Sequence, residues 1–137
     1  MGDLYWKFHK GYIQDLALDV DAMETYLDAN SVRTSADLQR LEQWKESQRK
    51  DHPLIKNDSV DLVVSNCVLN LVAEKDRTQM IQEIFRVLRP GGRVAISDIV
   101  SDELVPQHLQ ENDELWSGCI SGAFQEAQFA QCFLDAG

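Results

Sequence analysis

A strand–helix–strand pattern in the second half of the chain constrains the fold more than any other feature. Residues 60–65 form a nearly unbroken apolar run, which is typical of a parallel strand that is buried on both faces. Residues 74–88 carry an apolar stripe at helical spacing, and residues 93–99 predict a second buried strand. The Pro-Gly-Gly turn at residues 90–92 is predicted to end the helix, because proline cannot continue it and glycine accepts a left-handed conformation. This order predicts parallel strands joined by right-handed crossovers.

The remainder of the chain is predicted to be mostly helical. Apolar and polar residues alternate over residues 4–9, which predicts one more strand near the start of the chain. Asp21 is the expected cap of a short helix, and Thr34 or Ser35 is the expected cap of a longer one. The helical regions are expected within residues 20–50, 106–116 and 125–136.

Length limits the domain organisation. A chain of 137 residues is long enough for one domain with one hydrophobic core. We therefore predict a single partial α/β domain over residues 1–137. Its parts are a first strand and turn at 1–16, a helical insertion at 17–56, and a strand–helix–strand core with carboxyl-terminal helices at 57–137.

Charge and hydropathy argue against several classes of partner. A formal net charge of -10 argues against nucleic acid, which is bound by lysine and arginine. No apolar run approaches the ~20 residues of a membrane helix, and no secretory signal pattern is present. We expect a cytoplasmic protein without nucleic-acid or membrane partners. The three cysteines are an odd number, which predicts free thiols rather than a disulfide framework, and no histidine has metal-ligand spacing with another.

Candidate site residues follow the predicted strands. Ligands of open α/β sheets lie beyond the carboxyl ends of the strands. Ser65, Asn66 and Cys67 follow the first buried strand, Asp98 follows the second, and residues 11–13 follow the strand near the amino terminus. Any strand end carries polar residues, so a plain capping role for Asp98 is the simpler interpretation.

Four motifs carry a resemblance to a known family. They read DLVVSNCVLNL, FRVLRPGGR, ISDIV and WSGCISGAF. Together they resemble class I S-adenosylmethionine-dependent methyltransferases, and most closely the arsenite methyltransferase branch. The LRPGGR turn is a general methyltransferase feature, whereas SNCVLNL with a downstream GCISGA is much more specific. The resemblance covers residues 10–16 and residues 57–137.

The resemblance implies a cofactor and its contacts. S-adenosylmethionine would be the methyl donor. Ser65 and Asn66 would lie beside its methionine part, and Tyr12 and Ile13 would flank its adenine.

The resemblance also implies that Cys67 and Cys119 are catalytic thiolates that bind trivalent arsenic. Soft thiolates select soft metals and metalloids, and the thiolate is the binding species. Holding the arsenic lone pair in line with the methyl group would provide most of the catalysis. The alternative for Cys67 and Cys119 is a plain buried cysteine, and Cys132 is interpreted as core filler on a helix face.

The chain departs from the family pattern in ways that affect cofactor binding. No glycine occurs between Gly11 and Gly91, so the glycine-rich loop that follows the family's first strand is absent. The acidic residue for the ribose hydroxyls and the family's amino-terminal cysteine are also missing. We therefore predict a truncated Rossmann-like methyltransferase fold with roughly three parallel strands and helices, lacking the first strands. Such a fragment or degenerate form is expected to have little or no methyltransferase activity alone.

Two alternatives belong to other functional classes. Crossovers in one direction would place the helices on one face of the sheet and leave the other face bare, which favours a homodimer or larger oligomer. One alternative is thus a non-catalytic oligomeric binding or assembly module that keeps the half-fold. The other is a thiol-based metalloid-binding protein that uses the same two cysteines without methylation.

Overall fold

The computed structural model describes residues 6–117 and 119–137, and the chain divides into two units, Met1–Lys56 and Asn57–Gly137. The division falls between residues 56 and 57, where the predicted helical insertion meets the predicted strand–helix–strand core. Within the described residues, no helix combines the length and the apolar character that crossing a membrane requires.

Two helices, α1 (Val20–Ala29) and α2 (Ser35–Asp51), form most of the first unit. Tyr26 of α1 stacks on Trp44 of α2 with a distance of 4.7 Å between the ring centroids. Stacked aromatic rings contribute about 0.5–1.5 kcal/mol beyond the area they bury. This aromatic pair therefore joins α1 to α2.

Side-chain caps determine where both helices begin. Asp19 accepts a hydrogen bond from the amide of Ala22 at 3.0 Å, so it caps α1 in place of the expected Asp21, which lies in the first turn. Thr34 caps α2, because its hydroxyl oxygen accepts a hydrogen bond from the amide of Asp37. The carboxylate of Asp37 accepts one from the amide of Thr34, which completes a capping box. Thr34 was one of the two caps predicted for this helix.

The second unit contains the predicted parallel strand pair. β1 (Val60–Asn66) lies beside β2 (Leu88–Ser97), and Val64 is paired with Ala95. The pairing of β1 with β2 is irregular between Val60 and Leu62. The α/β class that was predicted is confirmed for this unit.

The strand pair is not buried on both faces as its apolar sequence indicated. Leu62 and Val64 of β1 are 53% and 69% exposed. Their partners Arg93 and Ala95 on β2 are exposed as well, whereas Val63, between Leu62 and Val64, is half-buried. One face of this parallel pair is therefore bare, as expected if the crossover helix covers only the other face.

Helix α3 (Glu74–Val87) connects the two strands, and its end differs from the prediction. The helix stops at Val87, and β2 begins at the next residue, so the Pro-Gly-Gly segment at 90–92 lies inside the strand. The amide of Ser59 donates to the carbonyl of Val87 at 2.8 Å, which binds the last turn of α3 to the start of β1. Gly91 has a φ of 80°, so it provides the left-handed residue of a bulged strand rather than of a helix end.

The carboxyl-terminal part adds short elements and one helix. The predicted helix at 106–116 is interrupted, because the side chain of Asn112 accepts from the amide of Leu115 and starts a new helix. The described elements are β3 (Val100–Ser101), α4 (Gln107–Gln110), α5 (Asp113–Ser117), β4 (Phe124–Gln125) and α6 (Glu126–Ala136). β3 and β4 form a second parallel pair, and α6 contacts α3.

The strand predicted at residues 4–9 is not formed where the structure can be described. Residues 1–5 lie outside the described part, and residues 6–9 belong to no strand. Trp6 and Phe8 are 81% and 93% exposed. The alternation of apolar and polar residues did not produce a strand here, because a strand also needs a neighbour to form backbone hydrogen bonds with. The expectation of roughly three parallel strands is replaced, within the described residues, by two parallel pairs.

Candidate functional site

The carboxyl end of β1 positions the first candidate cysteine. Cys67 follows the strand directly, and its amide donates to the carbonyl of Ser97 at 2.8 Å, which extends the ladder with β2 by one bond. Its φ is 53°, in the left-handed region that residues other than glycine rarely adopt. Cys67 is exposed, so a ligand can reach its side chain from solvent.

Asp98 fixes the turn that follows Cys67. Its carboxylate accepts hydrogen bonds from the amides of Leu69 at 2.9 Å and Asn70 at 3.4 Å, and from the amide of Ile99 at 2.9 Å. These bonds hold a short 3-10 helix, Leu69–Leu71, against the end of β2. The carboxylate is thus used for capping, which matches the simpler of its two predicted roles.

Cys119 lies next to Cys67, although 52 residues separate them in the sequence. Its thiol donates to the carbonyl oxygen of Cys67 at 3.3 Å, and only 7% of the residue is exposed. The φ of Cys119 is 62°, so both cysteines are left-handed; the third such non-glycine residue in the described part of the chain is Asp58. Burial raises the pKa of the Cys119 thiol, and the nearby charges of Asp98 and Cys67 add to the increase.

Asn70 connects the two cysteine-bearing turns, and sequence reasoning did not single it out. It is fully buried, and its side-chain amide donates to the carbonyls of Ile99 at 2.7 Å and Cys119 at 3.3 Å. The available signal was a polar residue inside the apolar Leu-Asn-Leu run at 69–71. Buried asparagine in such a run is expected to have a bonding role.

Arg77 of α3 binds the backbone of the segment that follows Cys119. Its guanidinium donates to the carbonyls of Val72 at 3.1 Å and Gly122 at 2.6 Å. It also lies 4.0 Å from the centroid of the Phe124 ring, a cation–π contact, and burial lowers its pKa. The segment after Cys119 is therefore held from two directions.

The residues predicted to contact a cofactor are divided between the two units. Ser65 and Asn66 end β1 in the second unit, whereas Tyr12 and Ile13 lie in the first unit. The hydroxyl of Ser65 is buried and, like Oδ1 of Asn70, has no hydrogen-bond partner within the described residues. A buried polar atom without a hydrogen-bond partner is unfavourable, which makes the Ser65 hydroxyl the unsatisfied group at this end of β1.

The third cysteine is located elsewhere in the second unit. Cys132 lies on α6 and lines a cleft of about 150 Å³ with Thr78 and Ile81 of α3. It is half-buried rather than buried, so the prediction of core filler holds only in part. Among the described residues, no cluster of three or more histidine, cysteine or acidic side chains could hold a metal ion.

Comparison with known proteins gives three concordant matches. A family profile described as "Methyltransferase domain" matches residues 6–137. The arsenite methyltransferase of Halobacterium salinarum is 46% identical over 72 residues, which is 53% of this chain and 18% of that protein. The arsenite methyltransferase of Homo sapiens is 42% identical over 76 residues, which is 56% of this chain and 20% of that protein.

A solved structure resembles the chain in three dimensions as well. It is an arsenic(III) S-adenosylmethionine methyltransferase from Chlamydomonas reinhardtii, with a TM-score of 0.54 and 27% sequence identity. The match covers 76% of this chain and 40% of that one. The chain spans about a fifth of the length of the curated relatives described above.

Proposed function

The chain belongs to the methyltransferase domain family, and from this premise we propose that it carries the acceptor site for trivalent arsenic of an arsenite-methyltransferase-like fold. Cys67 and Cys119 are the two thiol ligands in this proposal. The observation that supports it is the hydrogen bond from the Cys119 thiol to the Cys67 carbonyl, which brings two distant cysteines together. The relatives named above are arsenite methyltransferases, which agrees with this choice of acceptor.

The chemistry of binding balances without an oxidant or a reductant. Arsenous acid exchanges two As–O bonds for two As–S bonds with Cys67 and Cys119. Each thiol proton leaves with a hydroxyl group, so two water molecules are released and one hydroxyl group stays on arsenic. The oxidation state of arsenic does not change, and its lone pair remains available as the nucleophile. Soft sulfur ligands favour a soft metalloid over hard cations.

The family's methyl donor, S-adenosylmethionine, supplies an electrophilic methyl group when it is bound. The described residues fit its methionine end, because the buried hydroxyl of Ser65 lacks a partner and Asn66 beside it is exposed. Tyr12 and Ile13 are proposed to flank the adenine. The chain has no glycine between Gly11 and Gly91, so no glycine-rich turn is available there for the rest of the molecule. We therefore expect little or no methyl transfer by this chain alone.

Titration with phenylarsine oxide, which bridges two neighbouring thiols, tests the proposed acceptor site. The parent chain is expected to bind one equivalent, as counted by native mass spectrometry. Cys67→Ser and Cys119→Ser each remove one of the two sulfur ligands and are expected to lower the affinity at least tenfold. Cys132→Ser is the matched control, because this cysteine lies on α6 and lines a cleft with Thr78 and Ile81 of α3.

Binding by the double variant Cys67→Ser, Cys119→Ser as tight as that of the parent would exclude the proposed site. Equal losses in all three single variants would also contradict it, since α6 has no role in the pair. A methylated product in a methyl-transfer assay with arsenite would identify the chain as an enzyme. Bound arsenic without a methylated product agrees both with an inactive methyltransferase fragment and with a thiol-based metalloid-binding protein.

A second candidate, an oligomeric assembly module, is favoured by the bare face of β1. Leu62 and Val64 are more than half exposed, and apolar surface is worth about 25 cal/mol per Å² when it is covered. We propose that a second copy of the chain covers this face. Sedimentation velocity is expected to detect a dimer or larger oligomer that Leu62→Glu dissociates. A monomer at all accessible concentrations contradicts this candidate and leaves the arsenic proposal unaffected.

A further inference from the structure

The side chain of Asn70 connects the two cysteine-bearing turns through backbone carbonyls. It lies in the turn that follows Cys67, and its Nδ2 donates to the backbone carbonyl of Cys119 at 3.3 Å. The same nitrogen donates to the carbonyl of Ile99 at 2.7 Å, next to Asp98. One buried amide therefore contacts the strand end and the cysteine-bearing segment that returns to it.

We propose that Asn70 is a positioning residue that sets the separation of the Cys67 and Cys119 thiols for arsenic(III). This inference rests on the proposed arsenic site and extends it to a residue that touches no arsenic. Its effect is exerted through the backbone carbonyl of Cys119. Displacing that carbonyl moves the Cys119 thiol relative to the turn of Cys67.

Asp98 holds the backbone of the turn that carries Asn70. The carboxylate of Asp98 accepts from the backbone amides of Leu69 and Asn70, so the turn cannot rotate freely. Asn70 is 0% exposed, which leaves its side chain no room for another rotamer in solvent. The donor is therefore rigidly presented to the Cys119 carbonyl.

The bonding pattern explains why an asparagine occupies this position. The two bonds that the side chain makes are both donated by Nδ2, while Oδ1 is buried without a partner. An unpaired buried acceptor is unfavourable, so the contribution of this side chain comes from its donor group. An apolar residue would leave the carbonyls of Ile99 and Cys119 without this donor, and an ionised aspartate would repel them.

Chelation of arsenic depends on both sulfur atoms being presented together. The second As–S bond forms within the same molecule, and its advantage is lost if the two thiols cannot reach one arsenic atom. Removing a group that orients a metal ligand typically lowers the affinity about 10- to 100-fold. A comparable loss is expected when the Asn70 donor is removed.

The experiment compares Asn70→Ala and Asn70→Asp with the parent in phenylarsine oxide titrations. Asn70→Asp keeps the shape of the side chain and lacks a donor when ionised, and the thermal midpoint shows whether each variant is folded. The matched control is Ser121→Ala. Ser121 is also buried near Cys119, but its hydroxyl donates to the carbonyls of Leu109 and Asn112 and not to the Cys67 turn.

Alkylation of each cysteine with iodoacetamide and the thermal midpoint complete the readout. Both Asn70 variants are expected to lose about 10- to 100-fold in affinity for phenylarsine oxide. The alkylation of Cys67 by iodoacetamide is expected to keep the rate of the parent chain. Ser121→Ala is expected to lower the thermal midpoint without changing that affinity. Folded Asn70 variants that bind as tightly as the parent overturn the inference, as does an equal loss of affinity in Ser121→Ala. Failure of the parent itself to bind refutes the proposed arsenic site instead.

Discussion

Replacing Gly122 with alanine is expected to push apart the two turns that carry the cysteines. A β-carbon at Gly122 would lie 2.0 Å from the backbone oxygen of Asn70, whereas ordinary van der Waals contact begins at 3.4 Å. Restoring ordinary contact therefore requires one backbone segment to move by about 1.4 Å, which is the difference between 3.4 and 2.0 Å. Arg77 holds the carbonyl of Gly122 at 2.6 Å, which opposes movement of that segment. Overpacking of this kind costs about 1–3 kcal/mol and sometimes more.

Two measurements check the expected effect of Gly122→Ala. The thermal midpoint should fall by about 4–8 °C per kcal/mol for a domain of about 60–100 residues, and the affinity for phenylarsine oxide should fall about 10- to 100-fold. Gly91→Ala is the matched control, because its β-carbon meets nothing within 4 Å and its cost comes from a φ of 80° alone. That variant should lose about 1–2 kcal/mol and keep the parent affinity. A Gly122→Ala chain with the parent midpoint and affinity would refute the reasoning.

A core side chain, a helix cap and a thiol proton give further expectations. Ile84→Ala, at a position with 0% exposure, should cost about 2–5 kcal/mol in urea unfolding, and Ile84→Val about 0.5–1.5 kcal/mol. Thr34→Ala should cost about 1 kcal/mol and reduce helicity by circular dichroism without altering arsenic binding. The hydrogen bond from the Thr34 hydroxyl is the main cause that lowers the pKa of Asp37 to about 2. The stability that the Asp37 carboxylate contributes is therefore present above its ordinary pKa and is lost as the pH falls through about 2, which an acid titration of helicity measures. Arsenite affinity, measured by equilibrium dialysis, should not change with pH while the thiols are protonated, because condensation releases water and no net proton. The affinity should fall where Cys119 deprotonates, and burial moves that fall to higher pH because it raises the pKa of this thiol.

The long elements of the second unit were predictable from residue pattern alone. The apolar run at 60–65 and the stripe at 74–88 correspond to β1 and α3 within two residues at each end. The segment at 90–92 was not, because proline and glycine can end a helix or form a bulge in a strand. The register of β1 against β2 selected the bulge, and register depends on contacts across the sheet that sequence spacing does not contain.

Burial was harder to predict than secondary structure. A continuous apolar run is typical of a strand covered on both faces, yet Leu62 and Val64 are exposed. Whether a face is covered depends on elements distant in sequence. Likewise, alternation over residues 4–9 predicted a strand, but a strand requires a hydrogen-bonded neighbour, and residues 6–9 belong to no strand.

The candidate site was predictable in its ligands and not in its support. Cys67 and Cys119 were identified by their motifs, and in the structure the Cys119 thiol donates a hydrogen bond to the Cys67 carbonyl. Asn70 was overlooked because its role depends on a partner 49 residues away. Tyr12 and Ile13 lie in the other unit, and their proposed role at the adenine stays a prediction.

In the proposed function, arsenic capture and methyl transfer are separable, because different residues are proposed for each step. Both thiols and the Asn70 amide lie within the second unit, so the proposed acceptor site needs no residue from the first. Left-handed conformations at two cysteines are unfavourable, by roughly 1–2 kcal/mol each, and persist only where surrounding bonds impose them. Those bonds are the ladder from Cys67 to Ser97 and the amide of Asn70 on Cys119. We propose that these bonds preorganise the pair for a ligand that must bond both sulfur atoms, whether or not a methyl donor is present.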